Sequence, residues 1–255
     1  MKKIMMFAAM AAAVMVSFNA CQKDNSNKGH HDDDDDEPTF VSKIKIDGDF
    51  ADWDALDAAK VSVTECTEGT KFTALKKAKV YADEAYVNVY LEFDEAQLNK
   101  EYVPVHLYFN YDNSDKTGGY GDEFIDANAD IVLENAIISG NEYVSFDPAL
   151  FKWWGEVGGS GWIWSDPSIT PDESNHWGAI LTNGSGIATG SGKDGKYEIQ
   201  VTREMIPNVT FADTFTMGFD IQSDWASVGV LPNAPMDEQT NPNGLAKKLV
   251  VTIDK

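Results

Sequence analysis

The sequence predicts an all-β fold, an antiparallel β-sandwich of the immunoglobulin or jelly-roll kind with two sheets and few short helical turns. Apolar residues recur at every second position in several segments, which is typical of strands with one buried face. Gly, Asp, Asn and Pro residues bound these segments and predict turns between them. Because helical patterns that would serve as crossovers between parallel strands are scarce, the arrangement favours antiparallel sheets.

Several segments after Phe40 show the alternation clearly. They are residues 87–93, 103–109, 197–201, 215–221 and 249–253. The best helical candidate is a single turn at 202–206, where Thr202 is placed to cap the turn and Pro207 prevents its continuation. This part of the chain, roughly 215 residues, is long enough for one large β domain. We therefore predict a single sandwich over residues 40–255.

The N-terminal residues have the features of a secretory signal peptide. Two lysines precede an apolar stretch that is too short to span a bilayer as a helix, and a small-residue region then leads to Cys21. Residues 18–21 resemble a bacterial lipobox, in which the cysteine becomes the acylated first residue. We expect a lipoprotein signal peptide over residues 1–20 and a lipid anchor at Cys21.

Residues 21–39 continue from this anchor as a polar, acidic segment. Five consecutive aspartates and Glu37 repel one another, and apolar periodicity is absent, so we predict a disordered linker. An acidic stretch after a lipidated cysteine resembles the surface-export signal of glycan-foraging Gram-negative bacteria. The expected location is therefore the outer membrane, with the domain lipid-anchored at the cell surface.

The net charge of −22 at pH 7 restricts the partners of the chain. A field of this sign repels the phosphates of nucleic acids and anionic lipid headgroups, and it favours neutral ligands or cations. Nucleic acid is therefore excluded as an expected partner. Once Cys21 carries lipid, Cys66 has no cysteine left to pair with, so we predict a free, half-buried thiol.

Several motifs occur in an order that resembles a known family. Residues 44–53, IKIDGDFADW, combine an edge strand, an Asp-Gly turn and an Asp-Trp pair. The later motifs are a strand with the pattern Asp, any residue, small, Tyr, Val, any residue, Val at 83–89, a strand with an Asp-Asn loop at 109–117, and closing strands around an Ile-Pro turn at 197–207 and 215–220. Together they resemble carbohydrate-binding module family 9 and DOMON-like β-sandwiches over most of residues 41–255.

This resemblance implies noncatalytic glycan binding, with paired tryptophans that sandwich a sugar, although the wider superfamily also contains haem-binding and enzyme-attached members. For the residues of the opening motif, structural roles are favoured over ligand binding. Asp47 and Gly48 favour a tight turn, and Trp53 is expected to fill the core rather than to form a sugar platform. The opening motif therefore indicates the fold and leaves the binding site open.

The densest aromatic stretch lies between Tyr143 and Trp177. An indole ring stacks on the C–H face of a sugar, while amides and carboxylates bind the sugar hydroxyls, and nearby glycines let a loop approach a ligand closely. The candidate ligand-binding residues are Trp153, Trp154, Glu156, Trp162, Trp164, Asp166, Asn175, His176 and Trp177. The alternative interpretation is that these aromatic side chains fold back as a satellite core.

The loop after residues 103–109 offers oxygen ligands for a calcium ion. The candidate metal ligands are Asp112, Asn113, Asp115 and Asp122. Their spacing differs from that of an EF-hand, because Lys116 stands where a ligand is required. The family resemblance implies a structural Ca²⁺, whereas the residues alone favour an Asx-rich hairpin turn.

Enzyme motifs are absent from the sequence. It contains no nucleophile elbow, paired metal-binding histidines or phosphate-binding glycine loop, and no two carboxylates stand out as acid and nucleophile. We therefore expect a surface-tethered lipoprotein that binds an oligo- or polysaccharide noncatalytically. The alternative is a structural or assembly lipoprotein that docks a membrane protein partner through its aromatic hairpin. A glycan-active enzyme is the third interpretation.

Overall fold

Two antiparallel sheets pack face to face, so the predicted β-sandwich is confirmed. The computed structural model describes residues 40–119, 128–161, 163–169, 175, 178–240, 242 and 248–255. The range Phe40–Lys255 forms one compact unit. The signal peptide, Cys21 and the acidic linker lie outside the described residues.

The described residues contain twelve strands. They are β1 (Ser62–Glu65), β2 (Leu75–Ala82), β3 (Tyr86–Phe93), β4 (Tyr102–Asn110), β5 (Ile131–Ser139), β6 (Glu142–Tyr143), β7 (Ala149–Lys152), β8 (Ala188–Lys193), β9 (Lys196–Thr202), β10 (Thr214–Ser223), β11 (Ala226–Leu231) and β12 (Leu249–Thr252). One sheet has the order β1-β2-β3-β9-β8. The other has the order β11-β10-β4-β5-β6, with β12 beside β10 and β7 beside β5.

Helical structure in the described residues is limited to short pieces. They are the helix α1 (Ala51–Ala55) and the 3₁₀ turns Ala58–Lys60, Glu95–Gln97 and Arg203–Met205. The last of these is the helical turn predicted at 202–206. Its expected cap is wrong, because the Thr202 side chain makes no capping hydrogen bond. Among the described residues, we find no helix with the length and apolar character needed to cross a membrane.

The main hydrophobic core lies between the two sheets. Val103, Val105, Leu107 and Phe109 alternate along β4 and are fully buried there, together with the alternating apolar residues of β3, β9 and β10. Burying a side chain of this size stabilises a fold by about 1.5–3 kcal/mol. The alternation that predicts the strands therefore also supplies the energy that holds the two sheets together.

The outer face of the five-stranded sheet is covered by the N-terminal segment 40–60, and we call it the covered face. Trp53 of α1 is only 3% exposed and packs with Ile44 and Tyr90, as expected for a residue that fills the core. Gly48 adopts a left-handed conformation with φ of 77° in the turn before α1. The opening motif therefore covers the outer face of the five-stranded sheet.

The Asp254 carboxylate binds the segment 40–60 near both of its ends. Asp254, at the C-terminus, lies 2.9 Å from Lys43 Nζ and 3.0 Å from Lys60 Nζ, and it accepts a hydrogen bond from the Tyr81 hydroxyl at 3.0 Å. The Asp254 side chain thus joins the N-terminal and C-terminal segments of the domain.

The outer face of the seven-stranded sheet is only partly covered, and we call it the open face. The chain after β7 crosses it and buries Trp153 and Trp164 against Tyr108, Val132 and Phe151. The remaining part of this face, along β4, β5, β10 and β11, borders a cavity. Cys66 lies elsewhere, at the end of β1, and is free and half-buried as predicted.

Candidate ligand-binding site

Three ionisable residues stand side by side on the open face, each in the middle of an apolar strand. Asp220 of β10 pairs with His106 of β4, and His106 pairs with Glu134 of β5. Successive residues of a strand point to opposite faces, and the next residue on β4, Leu107, is buried in the core between the sheets. The alternation therefore turns these three side chains outwards, and we call them the charged row.

His106 links the two carboxylates of the charged row. Its Nε2 atom donates to Glu134 Oε2 at 2.6 Å, and its Nδ1 atom donates to Asp220 Oδ2 at 3.3 Å. The same Asp220 oxygen accepts hydrogen bonds from Gln222 Nε2 and from Ser227 Oγ, each at 2.9 Å. The network joins four neighbouring strands and fixes the orientation of both carboxylates.

Burial alone would lower the pKa of His106, because a buried cation loses its hydration. The hydrogen bonds to Asp220 and Glu134 outweigh this effect and raise the pKa of His106 to about 9. At neutral pH the ring is therefore an imidazolium between two carboxylates. Since both of its N–H groups are donated, it has no lone pair with which to accept a proton from a ligand.

The charged row forms part of the wall of a cavity of about 800 Å³. Tyr102 and Trp225 form an aromatic corner of this cavity, with ring centroids 5.4 Å apart and ring planes inclined at 35°. The side chains of Asn135, Asn183 and Gln222 add amide groups. A concave site that combines aromatic surface with a few fixed polar groups is the usual form of a small-ligand site.

Trp225 occupies an unusual backbone position. It follows Asp224 in the two-residue turn between β10 and β11, and both residues have positive φ, 52° for Asp224 and 62° for Trp225. Such turns strongly favour Gly at the second position, because a bulky side chain in the left-handed region costs about 1–2 kcal/mol. Trp225 is nevertheless 61% exposed and packs on Tyr102 at the surface, so burial in the core does not explain its presence. Strain of this kind is characteristic of functional positions.

Asp220 has one oxygen atom without a hydrogen-bond partner among the described residues. Its side chain is only 1% exposed, and Oδ1 has no hydrogen-bond partner among the described residues. Leaving a buried polar atom without a partner typically costs about 1–3 kcal/mol. The Oδ1 atom is itself buried, although the residue borders the cavity.

The tryptophans predicted as sugar platforms divide into separate environments. Trp153 and Trp164 are buried, with ring centroids 5.0 Å apart, and Trp164 is 0% exposed. Neither indole has a face free for a sugar, so the platform interpretation is corrected for these two, which form the satellite core that was its alternative. Trp154 is 42% exposed, whereas Trp162 and Trp177 lie outside the described residues.

Three of the predicted polar residues of the same segment, Glu156, Asp166 and Asn175, are not among the residues that line the cavity. Glu156 is exposed, and Asp166 accepts hydrogen bonds from the backbone and hydroxyl of Ser168. Asn175 closes a turn with Ala179 through two hydrogen bonds, and His176 lies outside the described residues. Of the segment 153–177, the described residue that lines the cavity is Gly161. The structure therefore moves the centre of the candidate site to the charged row.

The candidate calcium loop has the hydrogen bonds of an Asx turn. Asp112 Oδ1 accepts from Ser114 N at 2.9 Å and from Thr117 Oγ1 at 3.2 Å, while Asn113 and Asp115 are exposed. Asp122 lies outside the described residues. No group of three or more metal-ligating His, Cys, Asp or Glu side chains occurs in the described part of the chain. Calcium binding at this loop stays a prediction.

A buried carboxylate beneath this loop is sensitive to its charge. Asp130 is buried and accepts a hydrogen bond from the backbone N–H of Tyr111 at 3.1 Å. Burial, and secondarily the negative charge of Asp112, raises the pKa of Asp130 to about 6. Asp112 and Asp130 therefore repel each other when both are ionised.

The charged row was missed because the strand patterns were used only to locate strands. His106, Glu134 and Asp220 each interrupt an apolar run, in the segments VPVHLYF, IVLENAI and MGFDIQS. An ionisable residue on the outer face of an otherwise apolar strand is a detectable signal, since charges are seldom buried without a partner. The Asp-Trp turn between two predicted strands is a second such signal.

No protein-family model matches this chain, and a search of curated proteins finds no significant match.

Proposed function

We propose that this protein is a surface-tethered lipoprotein whose β-sandwich binds an oligo- or polysaccharide noncatalytically. The ligand lies in the cavity of the open face. The observation that carries the proposal is the combination of an exposed, strained Trp225 with the charged row in one cavity of about 800 Å³. That volume is within the range of small-ligand pockets and is large enough for a few sugar rings.

The chemistry of the cavity suits a sugar. A pyranose ring presents C–H groups on its faces and hydroxyl groups around its edge, so it needs aromatic surface on one side and hydrogen-bond partners beside it. Trp225 and Tyr102 offer the aromatic surface, and Glu134 and Gln222 offer the partners. Tyr102, Glu134 and Gln222 lie on strands, which fixes their geometry before a ligand arrives, and Trp225 lies in the tight turn between β10 and β11.

The state of His106 supports binding without catalysis. General acid–base chemistry needs a group that gains or loses a proton near the working pH. His106 is already protonated at neutral pH, and it donates both N–H groups to carboxylates of the row. The row therefore acts as a fixed set of hydrogen-bonding groups.

The proposal is tested on a glycan array with residues 22–255, which keep the linker and the whole sandwich. We expect selective binding to a glycan class and a loss of at least roughly tenfold in affinity for Trp225→Ala. The matched control is Trp154→Ala, since both tryptophans are exposed and only Trp225 lines the cavity. Silence of the folded protein on the array, or equal loss in both variants, would reject the cavity as a glycan site.

The tether is tested separately. Mass spectrometry of the mature N-terminus is expected to find an acylated Cys21, and protease treatment of intact cells is expected to remove the domain from the surface. An unmodified Met1, or cleavage at another residue, would remove the lipid anchor from the proposal without affecting the glycan site.

A second function is favoured by an exposed apolar patch outside the cavity. Trp154, Val157 and Ile163 are all exposed and lie in one segment, where Trp154 N–H donates to the Ile163 carbonyl at 3.0 Å. Exposed aromatic side chains also serve as anchors for protein partners. A stoichiometric membrane protein captured by the wild type, lost in Trp154→Ala and retained in excess soluble polysaccharide, would support docking.

A further inference from the structure

The aromatic corner and Glu134 lie at different levels of the same cavity wall. Tyr102 and His106 both line the cavity and are four residues apart on β4. A strand rises about 3.3 Å per residue, so these two residues stand about 13 Å apart along β4. Trp225 packs on Tyr102, whereas Glu134 pairs with His106. The cavity therefore has an aromatic part and a carboxylate part that are separated along the strand.

Glu134 keeps one carboxylate oxygen for a ligand, and this atom is accessible. Its Oε2 atom accepts the hydrogen bond from His106 at 2.6 Å, which fixes the orientation of the carboxylate. Its Oε1 atom has no hydrogen-bond partner among the described residues. The side chain is 20% exposed, and Oε1 is not one of the buried unpaired atoms, in contrast to Asp220 Oδ1. Glu134 therefore offers a charged acceptor to the cavity.

This acceptor needs a donor from the ligand. The neighbouring donors are already engaged, because His106 donates both of its N–H groups, and Gln222 Nε2 and Ser227 Oγ donate to Asp220. An ionised carboxylate only accepts hydrogen bonds, and a sugar hydroxyl group can donate one. Such a bond is stronger than one between neutral groups. A hydroxyl group at Glu134 would therefore add an interaction that stacking at the aromatic corner does not supply.

We infer that the cavity holds two subsites for one glycan chain. In the aromatic subsite one ring stacks on Trp225 and Tyr102, and in the carboxylate subsite a different ring donates a hydroxyl group to Glu134 Oε1. The separation of about 13 Å along β4 is longer than a single pyranose ring, so a monosaccharide fills one subsite and a longer chain fills both. Two contacts made by one chain reinforce each other. This inference rests on the proposed function and specifies how its ligand is bound.

The first test needs no variant. Residues 22–255 are titrated calorimetrically with cello-, malto-, xylo-, manno- and laminari-oligosaccharides of one to six rings. In the series that binds best, we expect the affinity to rise at least roughly tenfold from one ring to six, which exceeds the statistical gain of about sixfold from six equivalent rings. A smaller rise would overturn the inference and leave glycan binding intact, whereas failure of every series would overturn the proposed function itself.

The second test addresses the carboxylate subsite. In Glu134→Gln the amide oxygen is needed by His106, so the amide N–H₂ group replaces the free acceptor with a donor. We expect the best hexasaccharide to bind roughly tenfold or more weakly. The matched control is Glu92→Gln, because Glu92 is also half-buried on a central strand and accepts one hydrogen bond, from Tyr90, but lies on the covered face. Unchanged affinity in Glu134→Gln, or the same loss in Glu92→Gln, would overturn this subsite.

The third test observes both subsites in the wild type and so does not depend on the folding of a variant. NMR spectra are recorded for protein labelled at the tryptophan indole N–H groups and the glutamate carboxyl groups. We expect the monosaccharide of the best series to shift the signal of Trp225 alone, and the hexasaccharide to shift those of Trp225 and Glu134. The Glu92 signal is the internal control and should move with neither. If the monosaccharide moves the Glu134 signal, or the hexasaccharide leaves it unchanged, the inference fails.

Discussion

The two outer faces of this sandwich each carry a buried carboxylate on a central strand, and the two carboxylates differ in their hydrogen-bond partners. On the covered face, Glu198 of β9 accepts hydrogen bonds from the backbone N–H groups of Asp47 and Gly48 at 2.9 Å and 2.8 Å, and from Trp53 Nε1 at 3.3 Å. Both of its oxygens are used. On the open face, Asp220 of β10 has three partners on one oxygen and none among the described residues on the other.

The same contrast holds for the tryptophans beside these acids. Trp53 donates to Glu198 and is buried, whereas Trp225 lies in the wall of the cavity that Asp220 lines and is exposed. A carboxylate that its own chain satisfies on both oxygens holds the domain together. The open face instead combines a partly unsatisfied carboxylate with an exposed aromatic ring in one cavity wall, the combination on which the proposed binding site rests.

The largest expected effect tests the tryptophans directly. Trp53→Ala should lower the free energy of unfolding by about 3–5 kcal/mol, because it removes a buried aromatic side chain and leaves a cavity. Trp225→Ala should change it by no more than about 0.5 kcal/mol, as for most exposed residues. Urea denaturation of both variants measures the difference. Similar losses in the two would break the distinction between covered and open faces.

His106→Gln is expected to be almost as damaging. It removes the buried cation between Asp220 and Glu134, and leaving buried carboxylates without their partner costs about 3 kcal/mol or more. The control is Ser227→Ala, which removes one neutral donor and should cost about 1 kcal/mol. Urea midpoints measure both, and equal effects would show that the charge of His106 contributes nothing special.

The pH dependence of stability tests the same ion pairs without altering the core. The pKa of His106 is raised above its usual value, so its stabilising contribution is complete below about pH 6.5 and is lost as the pH rises through about 9. The melting temperature of the wild type should therefore fall over this interval relative to that of His106→Gln. Parallel curves for the two proteins would mean that His106 does not titrate there.

A smaller effect of opposite sign is expected at the strained turn. Trp225→Gly should raise the free energy of unfolding by about 1 kcal/mol, because Gly adopts the left-handed conformation without strain. It should abolish glycan binding at the same time. Asn141→Gly is the control, since Asn141 also has a positive φ, 67°, and Asn tolerates that conformation better. A destabilised Trp225→Gly would show that Trp225 supports the fold.

The smallest expected effect extends the comparison to a third buried acid, Asp130. Its raised pKa means that its neutral form stabilises the fold below about pH 4, and that this contribution is lost as the pH rises through about 6. Relative to Asp130→Asn, the melting temperature of the wild type should therefore fall between these values. Calcium that removes this fall would support the cation predicted for the loop, whereas an identical profile with EDTA would argue against it.

The sequence contained enough information for the fold and for the role of Trp53, because alternation and turn residues are local signals. The site depends on register instead. His106, Glu134 and Asp220 come from strands that lie far apart in the chain, and only their pairing makes them neighbours. The segment after β7 is irregular and has no sequence periodicity. The sequence therefore could not show that Trp153 is buried and Trp154 is exposed.

The segment 40–60 also determines how the domain bears mechanical load. In the proposed tethered glycan-binding protein, a pull from the preceding residues would enter at Phe40, on the covered face, while a bound polymer would pull on the opposite side of the sandwich. The tension therefore crosses both sheets, and the ion pairs of Asp254 with Lys43 and Lys60 fasten the segment near the point where the tension enters. These ion pairs contribute little to the stability of the unloaded domain, but they resist detachment of the segment 40–60 when the protein is stretched.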